Sequence, residues 1–407
     1  MKDELTTLDE ALRQLTSGIR CIVKTEAVSI SAASGRVLAS DLFAAINVPP
    51  QANSAMDGYA VNSEDVVSIP VTLHVSQRIP AGEVGSPLAT KSAARIFTGA
   101  QLPLLADAVV MQENTEKLAD GVKILQGVEA GENIRQAGED FKQGELLFHA
   151  GHRILPHDIG TLAAAGMSSI KVRRRLKVGV VVTGSELVQP GTLLEAGKIY
   201  NSNYYLIQSL LASWQIDCVD YGIVADVYSD TRDTLHRAAE ECDCIISSGG
   251  VSVGEEDHVK RAIQELGSLE MWKIAIKPGK PFAFGFIADK PFFGVPGNPV
   301  SAFVTLVLLV RPALLKLIGA SGSELVPHGY LLRTGFEKAR SGERQEYLRV
   351  CLQRNSDGQH ELFPLQNQSS GAGSSVSRAD GFAIVPPFTS VDKGDMLSFI
   401  PFSELVG

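Results

Sequence analysis

Apolar and polar positions along this chain change their period from one region to the next. Between residues 69 and 129, short apolar runs alternate with turn residues, which predicts a small β-rich domain. From residue 176 onward, apolar runs ending in polar or glycine residues alternate with segments of helical spacing. That rhythm predicts a parallel sheet with helices on both faces. After about residue 322 short β-type runs return and predict a separate C-terminal β domain.

The remaining regions have less regular patterns. Residues 4–24 and 25–40 have helical spacing, whereas residues 46–61 form a polar loop rich in Pro, Asn and Gly. Residues 131–172 are turn-rich and lead into a short helix. The uncharged stretch 291–310 has the length of a membrane span, but prolines and glycines interrupt its first half. We therefore predict a strand end, a loop and a buried helix from residue 300, with no membrane partner.

Composition and charge narrow the function classes. The chain has 407 residues and a formal net charge of −9, which argues against broad nucleic-acid binding, because that needs a basic face. A few focused cations can still hold a small anion in an acidic protein. The N-terminus lacks the apolar core of a signal peptide, and the five cysteines are scattered. We expect a cytoplasmic protein with reduced thiols.

Ligands of parallel α/β sheets bind beyond the carboxyl ends of the strands, so the loops at 183–186, 247–257 and 296–301 are the candidate site. The second loop reads SSGGVSVG, and its small residues allow an anion to approach backbone N–H groups. A tight strand-to-helix turn would give the same pattern. The residues proposed to bind substrate there are Ser248, Gly249, Gly250 and Ser252.

Acidic residues follow several of the predicted strands. Glu186, Asp226 and Asp257 could together hold Mg²⁺, which prefers a few carboxylate oxygens completed by water and phosphate. Asp257 also stands where a helix begins, and acidic residues favour that position through the helix dipole alone. Both interpretations stay open from the residues themselves.

The segment KIAIKPGKP contains the sharpest cationic feature. Lys277 and Lys280 flank a stiff Pro-Gly turn and could form an oxyanion pocket, and strand alternation would place Lys273 on the same face as Lys277. Solvated surface lysines are the alternative. The nearby sequence PGNPVSAF places further candidates at a helix start, namely Pro296, Asn298, Pro299 and Ser301.

Taken together, the motifs resemble the molybdopterin molybdenumtransferase family along nearly the whole chain. The matching segments, in order, are NSAMDGYAV, RIFTGAQLP, DAVVMQE, NIRQAGEDF, SSGGVSVGEEDH, KIAIKPGKPFAFG and GVPGNPVSAF. The resemblance implies four domains: an elongated helical and mixed domain, an inserted β-rich domain, a doubly wound α/β domain that binds molybdopterin, and a C-terminal β-barrel. The ranges expected for them are 1–43 with 139–174, 44–138, 175–322 and 323–407.

The resemblance also implies a reaction: Mg²⁺-dependent insertion of molybdate into adenylylated molybdopterin, giving molybdenum cofactor and AMP. It implies a homodimer in which the inserted domain of one subunit faces the α/β domain of the other. An enzyme that adenylylates molybdopterin and the molybdoenzymes that accept the cofactor are the implied partners.

Residue roles carried over from the family fall into two groups. The resemblance assigns catalysis to Asp57, Thr98, Glu186, Asp226, Asp257, Lys273 and Lys277, three of which are also the expected metal ligands. It assigns substrate binding, beyond the loops above, to Lys280, Arg344, Arg349 and Ser370. One departure is visible, because relatives often read TGDEL where this chain reads TGSEL, with Ser185 in place of an acidic residue.

Two other functions remain possible from the sequence. A molybdopterin adenylyltransferase shares the α/β domain type, but its phosphate loop reads more like TGGTG. A non-catalytic scaffold is the second, although such a protein would be expected to lose some of Asp57, Asp257 or Lys277.

Overall fold

The computed structural model describes residues 5–250 and 258–406, and the sheets in this part of the chain include three of six strands each. It confirms the predicted fold class, a multidomain α/β and β protein. The limits of the four domains stay a prediction.

Residues 5–43 and 139–174, the region expected to form the elongated domain, combine one amphipathic helix with paired short strands. Thr7 caps helix Leu8–Gly18 through a capping box with Glu10. The expected helix at 25–40 is wrong, because residues Thr25–Ser29 form a strand that pairs antiparallel with Ser169–Arg173. Tertiary pairing here overrides a local helical pattern. The other regular elements of this region are the 3-10 turn Ile30–Ala32, the strand pair Leu42–Phe43 and Leu146–Phe148, and helix Asp158–Ala164.

The inserted region contains a six-stranded, mostly antiparallel sheet. Its strands, in spatial order, are Ala108–Met111, Gly58–Val61, Ser92–Ile96, Val71–Ile79, Gly121–Ile124 and Thr115–Lys117. The strand Gly58–Val61 lies within the segment expected to be a polar loop. Gly58 permits this strand, since a Cβ there would lie 2.0 Å from the Val110 carbonyl oxygen. Minor elements are the strand pair Asn53–Ser54 and Ile134–Arg135, and the 3-10 turns Ser63–Val66 and Gln112–Asn114.

The α/β region has the predicted parallel sheet with an antiparallel edge. Its strands, in order, are Asp217–Val224, Lys177–Thr183, Cys244–Ser248, Lys290–Val295, Pro281–Ile287 and Gly267–Lys273, and the first four run parallel. The helices of this region are Ser202–Ser213, Tyr228–Glu241, His258–Leu266 and Pro299–Thr305. A short parallel pair, Leu187–Val188 with Ile199–Tyr200, extends from the first of the strand-end loops.

The helix from Pro299 continues through a π-helical turn, Leu306–Val310, into Arg311–Ile318. Within the described residues, Pro299–Ile318 is the one helical stretch long and apolar enough to cross a membrane by length and composition. However, 94% of its apolar window is buried inside the protein. The prediction of a buried helix here is confirmed.

The C-terminal region forms a closed five-stranded β-barrel. Going round it, the strands are Gln345–Arg354, His360–Pro364, Tyr330–Thr334, Met396–Pro401 and Gly381–Val385, and the last pairs with the first. Strand Ile276–Lys277 joins this sheet by parallel pairing with Gln345 and Glu346. Short helical turns lie at Gly322–Leu325, Ser374–Ser377 and Ser403–Val406.

Candidate active site

Residues 274–280, which we call the lysine turn, lie between the α/β sheet and the barrel. Strand Gly267–Lys273 leaves the sheet, and strand Pro281–Ile287 returns antiparallel to it, with Lys273 opposite Pro281. Ile274 N donates to Lys280 O at 2.7 Å and closes the base of the turn. Residues 276 and 277 at its tip pair with the barrel, so the continuous strand assumed for the alternation argument does not exist. The turn therefore belongs to two sheets at once.

Gly279 allows the turn to approach the core closely. Its φ is +112°, and a Cβ there would lie 3.1 Å from both Ile276 Cδ1 and Thr305 Cγ2. Such a backbone conformation favours glycine. The turn that the sequence predicts to be stiff therefore also needs glycine at position 279 in order to pack against the core.

A buried carboxylate holds the tip of the turn. Glu346 Oε1 lies 3.2 Å from Lys277 Nζ, and its Oε2 lies 3.2 Å from Lys338 Nζ. The Glu346 side chain is 6% exposed, whereas that of Lys277 is 55% exposed. Lys277 is therefore fixed from below and open to solvent above, which suits a cation that must meet a diffusing anion.

Arg349 is the most deeply buried cation of the barrel face. It is 1% exposed, and its Nε donates to Ser375 Oγ at 3.0 Å. Its Nη2 donates to the carbonyl oxygens of Asn367 and Ser369, both at 3.2 Å. Burial lowers the pKa of the Arg349 guanidinium from its usual value. A buried guanidinium bound only to neutral acceptors in the described chain leaves positive potential for an anion.

The serine-rich loop containing Ser370 packs against the α/β domain. Val300 N donates to Ser370 O at 3.0 Å, at the start of the helix that begins at Pro299. A cavity of about 400 Å³ opens next to this region, lined by residues that include Lys277, Pro278, Lys338, Glu346, Arg349 and Gln368. The structure thus places Lys277 and Arg349 on one cavity wall. Arg344 lies close by, where its Nη1 donates to Ile276 O at 3.3 Å.

The glycine loop after strand Cys244–Ser248 has the close backbone packing expected from sequence. Gly249 and Gly250 have φ values of +91° and +65°, and Cβ atoms would lie 2.6 Å from Thr183 O and 2.3 Å from Val259 Cγ2. Both positions therefore require glycine on steric and conformational grounds. The proposed residues Ser252 and Asp257 lie outside the described residues.

Asn203 links the strand-end loops and was not identified from the sequence. This residue is 8% exposed, and its Nδ2 donates to Ser248 Oγ at 2.9 Å and to Gly297 O at 2.8 Å. Its Oδ1 is buried with no hydrogen-bond partner in the described part of the chain. The sequence signal available for Asn203 was the motif NSN at residues 201–203, where helix Ser202–Ser213 begins.

The loop between Pro296 and Ser301 is held by the hydrogen bond from Asn203 Nδ2 to Gly297 O. Pro296 and Ser301 are buried, whereas Asn298 is exposed and precedes the helix. The side chain of Asn298 makes no capping bond. Its amide therefore stays available at the edge of the candidate site.

Glu186 and Asp226 are exposed on neighbouring strand-end loops. Their strands pair in parallel, with Thr183 opposite Val224. Carboxylate oxygens of this kind, completed by water and phosphate, match what Mg²⁺ takes, so the donor chemistry fits. Among residues 5–250 and 258–406, no group of three His, Cys, Asp or Glu side chains could itself hold a metal ion. The third predicted ligand, Asp257, is outside that range.

Asp57 and Thr98 meet on the inserted sheet. Thr98 donates both its backbone N–H and its hydroxyl to Asp57 Oδ1, each at 2.8 Å. These bonds, with a smaller contribution from the Arg95 charge, lower the pKa of Asp57. In the described chain the side-chain hydrogen bonds of both residues stay within the inserted region. The structure pairs them with each other and does not join them to the lysine turn.

Comparison with known proteins gives three successive matches along the chain. Residues 6–166 match the MoeA N-terminal region (domain I and II), 179–316 match a probable molybdopterin binding domain, and 332–402 match the MoeA C-terminal region (domain IV). The chain is 36% identical to a molybdopterin molybdenumtransferase of Haemophilus influenzae, over 99% of this chain and 100% of that protein. It is 35% identical to a Nostoc protein of the same name, over 89% and 85% of the two chains.

Solved structures agree with these relatives. The molybdopterin biosynthesis MoeA protein of Pyrococcus horikoshii superposes with a TM-score of 0.83 at 30% identity, covering 98% of this chain and 100% of that one. The fold and these relatives together support an enzyme of molybdenum cofactor biosynthesis. The chain belongs to the molybdopterin molybdenumtransferase family.

Proposed function

We propose that this protein transfers molybdenum from molybdate to adenylylated molybdopterin, in a Mg²⁺-dependent reaction that yields molybdenum cofactor and AMP. One observation carries the proposal: Lys277 and the buried Arg349 line the same cavity between the α/β domain and the barrel. Molybdate is a tetrahedral dianion, and two cations fixed on paired strands of one cavity wall suit it. The substrate's phosphoanhydride needs positioning and charge stabilisation more than covalent help.

The chain's own residues divide the work. The loop containing Ser248, Gly249 and Gly250 brings backbone close to the nucleotide phosphate, with Asn203 fixing its position. Lys273, Lys277 and Lys280 neutralise the oxyanion, and Arg349 supports them from the barrel. Asn298, exposed at the start of the helix from Pro299, and Ser370, whose carbonyl accepts from Val300 N, are further polar contacts for substrate in this proposal.

Glu186, Asp226 and Asp257 are the residues proposed to hold Mg²⁺. When bound, Mg²⁺ supplies positive charge that neutralises phosphate oxygens during anhydride cleavage. Support for this assignment comes from the two exposed carboxylates at neighbouring strand ends.

A homodimer with a shared site is part of the proposal. Asp57 and Thr98 interact only within the inserted region in the described chain, which is consistent with their acting on the substrate of a partner subunit. Asp57 is anionic at neutral pH, as an ordinary aspartate is, and the Thr98 bonds lower its pKa further, so it can accept a hydrogen bond from substrate. An enzyme that adenylylates molybdopterin would supply the substrate, and molybdoenzymes would take the product.

AMP release from adenylylated molybdopterin and Mg²⁺, measured with and without molybdate, tests the reaction. Molybdate-dependent AMP release is the expected result. ATP-dependent adenylylation of molybdopterin, without molybdate-dependent AMP release, would instead identify an adenylyltransferase. The absence of both activities would favour the scaffold function.

Lys277→Ala provides the matched residue test. It should raise the molybdate concentration needed for half-maximal AMP release, and Lys393→Ala, which removes an exposed lysine elsewhere on the barrel, should not. An unaltered molybdate dependence in Lys277→Ala would remove this lysine from the oxyanion pocket.

A further inference from the structure

Two arginines stand directly opposite each other on the inserted sheet. Arg78 and Arg95 are register partners on adjacent parallel strands, Val71–Ile79 and Ser92–Ile96. Their guanidinium carbons lie 4.5 and 4.6 Å from the centroid of the Phe97 ring. Like charges opposite each other in a sheet repel, so this arrangement costs stability unless something offsets it. Contact with the aromatic ring offsets part of the cost.

No carboxylate neutralises either arginine within ion-pairing distance in the described part of the chain. Arg95 donates to two neutral acceptors, Gly58 O at 2.9 Å and Gln112 Oε1 at 2.7 Å. Arg78 is exposed, and its guanidinium lies over the Phe97 ring. In a protein of net charge −9, two such cations form a focused positive site.

These side chains line a concave face large enough for a ligand. The concavity has a volume of about 740 Å³, and its wall includes Tyr59, Phe97, Arg78, Arg95, Lys117 and Asp120. The face continues directly into the Asp57–Thr98 pair, because Phe97 precedes Thr98 and Arg95 binds the carbonyl next to Asp57. The face therefore lies beside the residues proposed to act on substrate.

We propose that this face, defined by Arg78, Arg95 and Phe97, binds a planar nitrogen heterocycle that carries a phosphate. The phosphate pairs with the guanidinium groups, and the ring stacks on Arg78 or Phe97, since a guanidinium is planar and stacks on aromatic systems. The inference rests on the proposed function, in which both halves of adenylylated molybdopterin have this chemistry: a pterin with a phosphate, and adenine in AMP.

Binding without turnover tests the proposal. AMP binding is measured by calorimetry, and binding of molybdopterin lacking the adenylyl group is measured anaerobically by its fluorescence. Arg78→Gln and Phe97→Leu should each lower the affinity for AMP or for molybdopterin about tenfold or more. A change of this size is expected for a lost charged hydrogen bond or stacking contact. Arg354→Gln, which removes an exposed arginine on the barrel, is the matched control.

The affected ligand identifies the half that binds. Weaker AMP binding assigns the adenylate to this face, and weaker molybdopterin binding assigns the pterin. Unchanged affinity for both, or losses equal to that of Arg354→Gln, would overturn the proposal. Arg78→Lys keeps the charge but not the plane, so full affinity in that variant would exclude stacking on Arg78. Full affinity in both Arg78→Lys and Phe97→Leu would overturn the stacking part.

Folding and function are kept separate in this design. In the described part of the chain the Arg78 side chain makes no hydrogen bond, and it stands opposite a like charge, so Arg78→Gln should unfold at no lower a urea concentration than the wild type. A wild-type protein that binds the ligand but shows no molybdate-dependent AMP release would contradict the proposed function and leave this binding face standing. Molybdate-dependent release with unchanged binding by both variants would do the reverse.

Discussion

Glu346 of the barrel binds Lys277 of the α/β domain, with 3.2 Å between Oε1 and Nζ. The same carboxylate binds Lys338 through its other oxygen, also at 3.2 Å. One buried acid therefore joins two cations across a domain boundary, and it fixes the lysine that we propose to meet molybdate.

We expect the two pairs to differ in strength. Lys338 is 25% exposed and Lys277 is 55% exposed, so solvent screens the Lys277 pair more. In double-mutant cycles of urea unfolding with Glu346→Gln, coupling to Lys277→Met should be below about 1 kcal/mol, and coupling to Lys338→Met should exceed it. Equal couplings, or a larger one for Lys277, would contradict this reading of burial.

Asp57 should titrate below an ordinary aspartate. Its two bonds from Thr98 stabilise the anion, and Thr98→Val removes the hydroxyl bond while keeping the backbone one. An NMR titration of the carboxyl carbon should show the Asp57 pKa rising in Thr98→Val, with no change in Thr115→Val. Because the folded pKa lies below the unfolded one, the stabilisation from Asp57 is present above the unfolded pKa. It is lost as pH falls through the folded pKa.

Asn203→Ala should destabilise the α/β domain and weaken AMP binding together. It removes two hydrogen bonds and leaves Ser248 Oγ and Gly297 O without their partner, which costs about 1–3 kcal/mol of unfolding free energy. Urea unfolding and calorimetry with AMP measure the two effects. The neighbouring exposed position provides the control, Ser202→Ala, which should change neither. Normal AMP affinity in Asn203→Ala would remove its proposed role in positioning the loop.

Mixed dimers test the shared site. A heterodimer of one Asp57→Asn subunit and one Lys277→Ala subunit contains one intact site if the two residues act across the interface. Activity that neither parent homodimer has is therefore expected in purified heterodimers. Heterodimers as inactive as both parents would place Asp57 and Lys277 in the same subunit's site.

The sequence predicted the elements whose signals are local. Buried strands ending in glycine, such as the one before Gly249, and the apolar helix after Pro299 both appear where their patterns put them. Strand Thr25–Ser29 was not predicted, because the strand that pairs with it, Ser169–Arg173, is far along the chain. The strand Gly58–Val61 was predicted as part of a loop, because turn-forming residues precede it.

Site residues divide in the same way. Asp57 and Thr98 lie in separate motifs, and the structure shows their bond, which only the sheet brings about. Glu346 could not be found by pattern, because its role depends on a partner in another element, and Lys277 is 69 positions away. The NSN sequence marks Asn203 at a helix start but does not show its bonds to Ser248 and Gly297. Residue type alone does not distinguish such acids and amides from surface ones.

The lysine turn has one more consequence. Lys273 ends a strand of the α/β sheet, whereas Lys277 pairs with the barrel four residues later. If the barrel rotates against the sheet, it carries Lys277 with it and leaves Lys273 behind. The spacing of these two ammonium groups is then a measure of the interdomain angle, so the affinity for a tetrahedral dianion would depend on domain orientation.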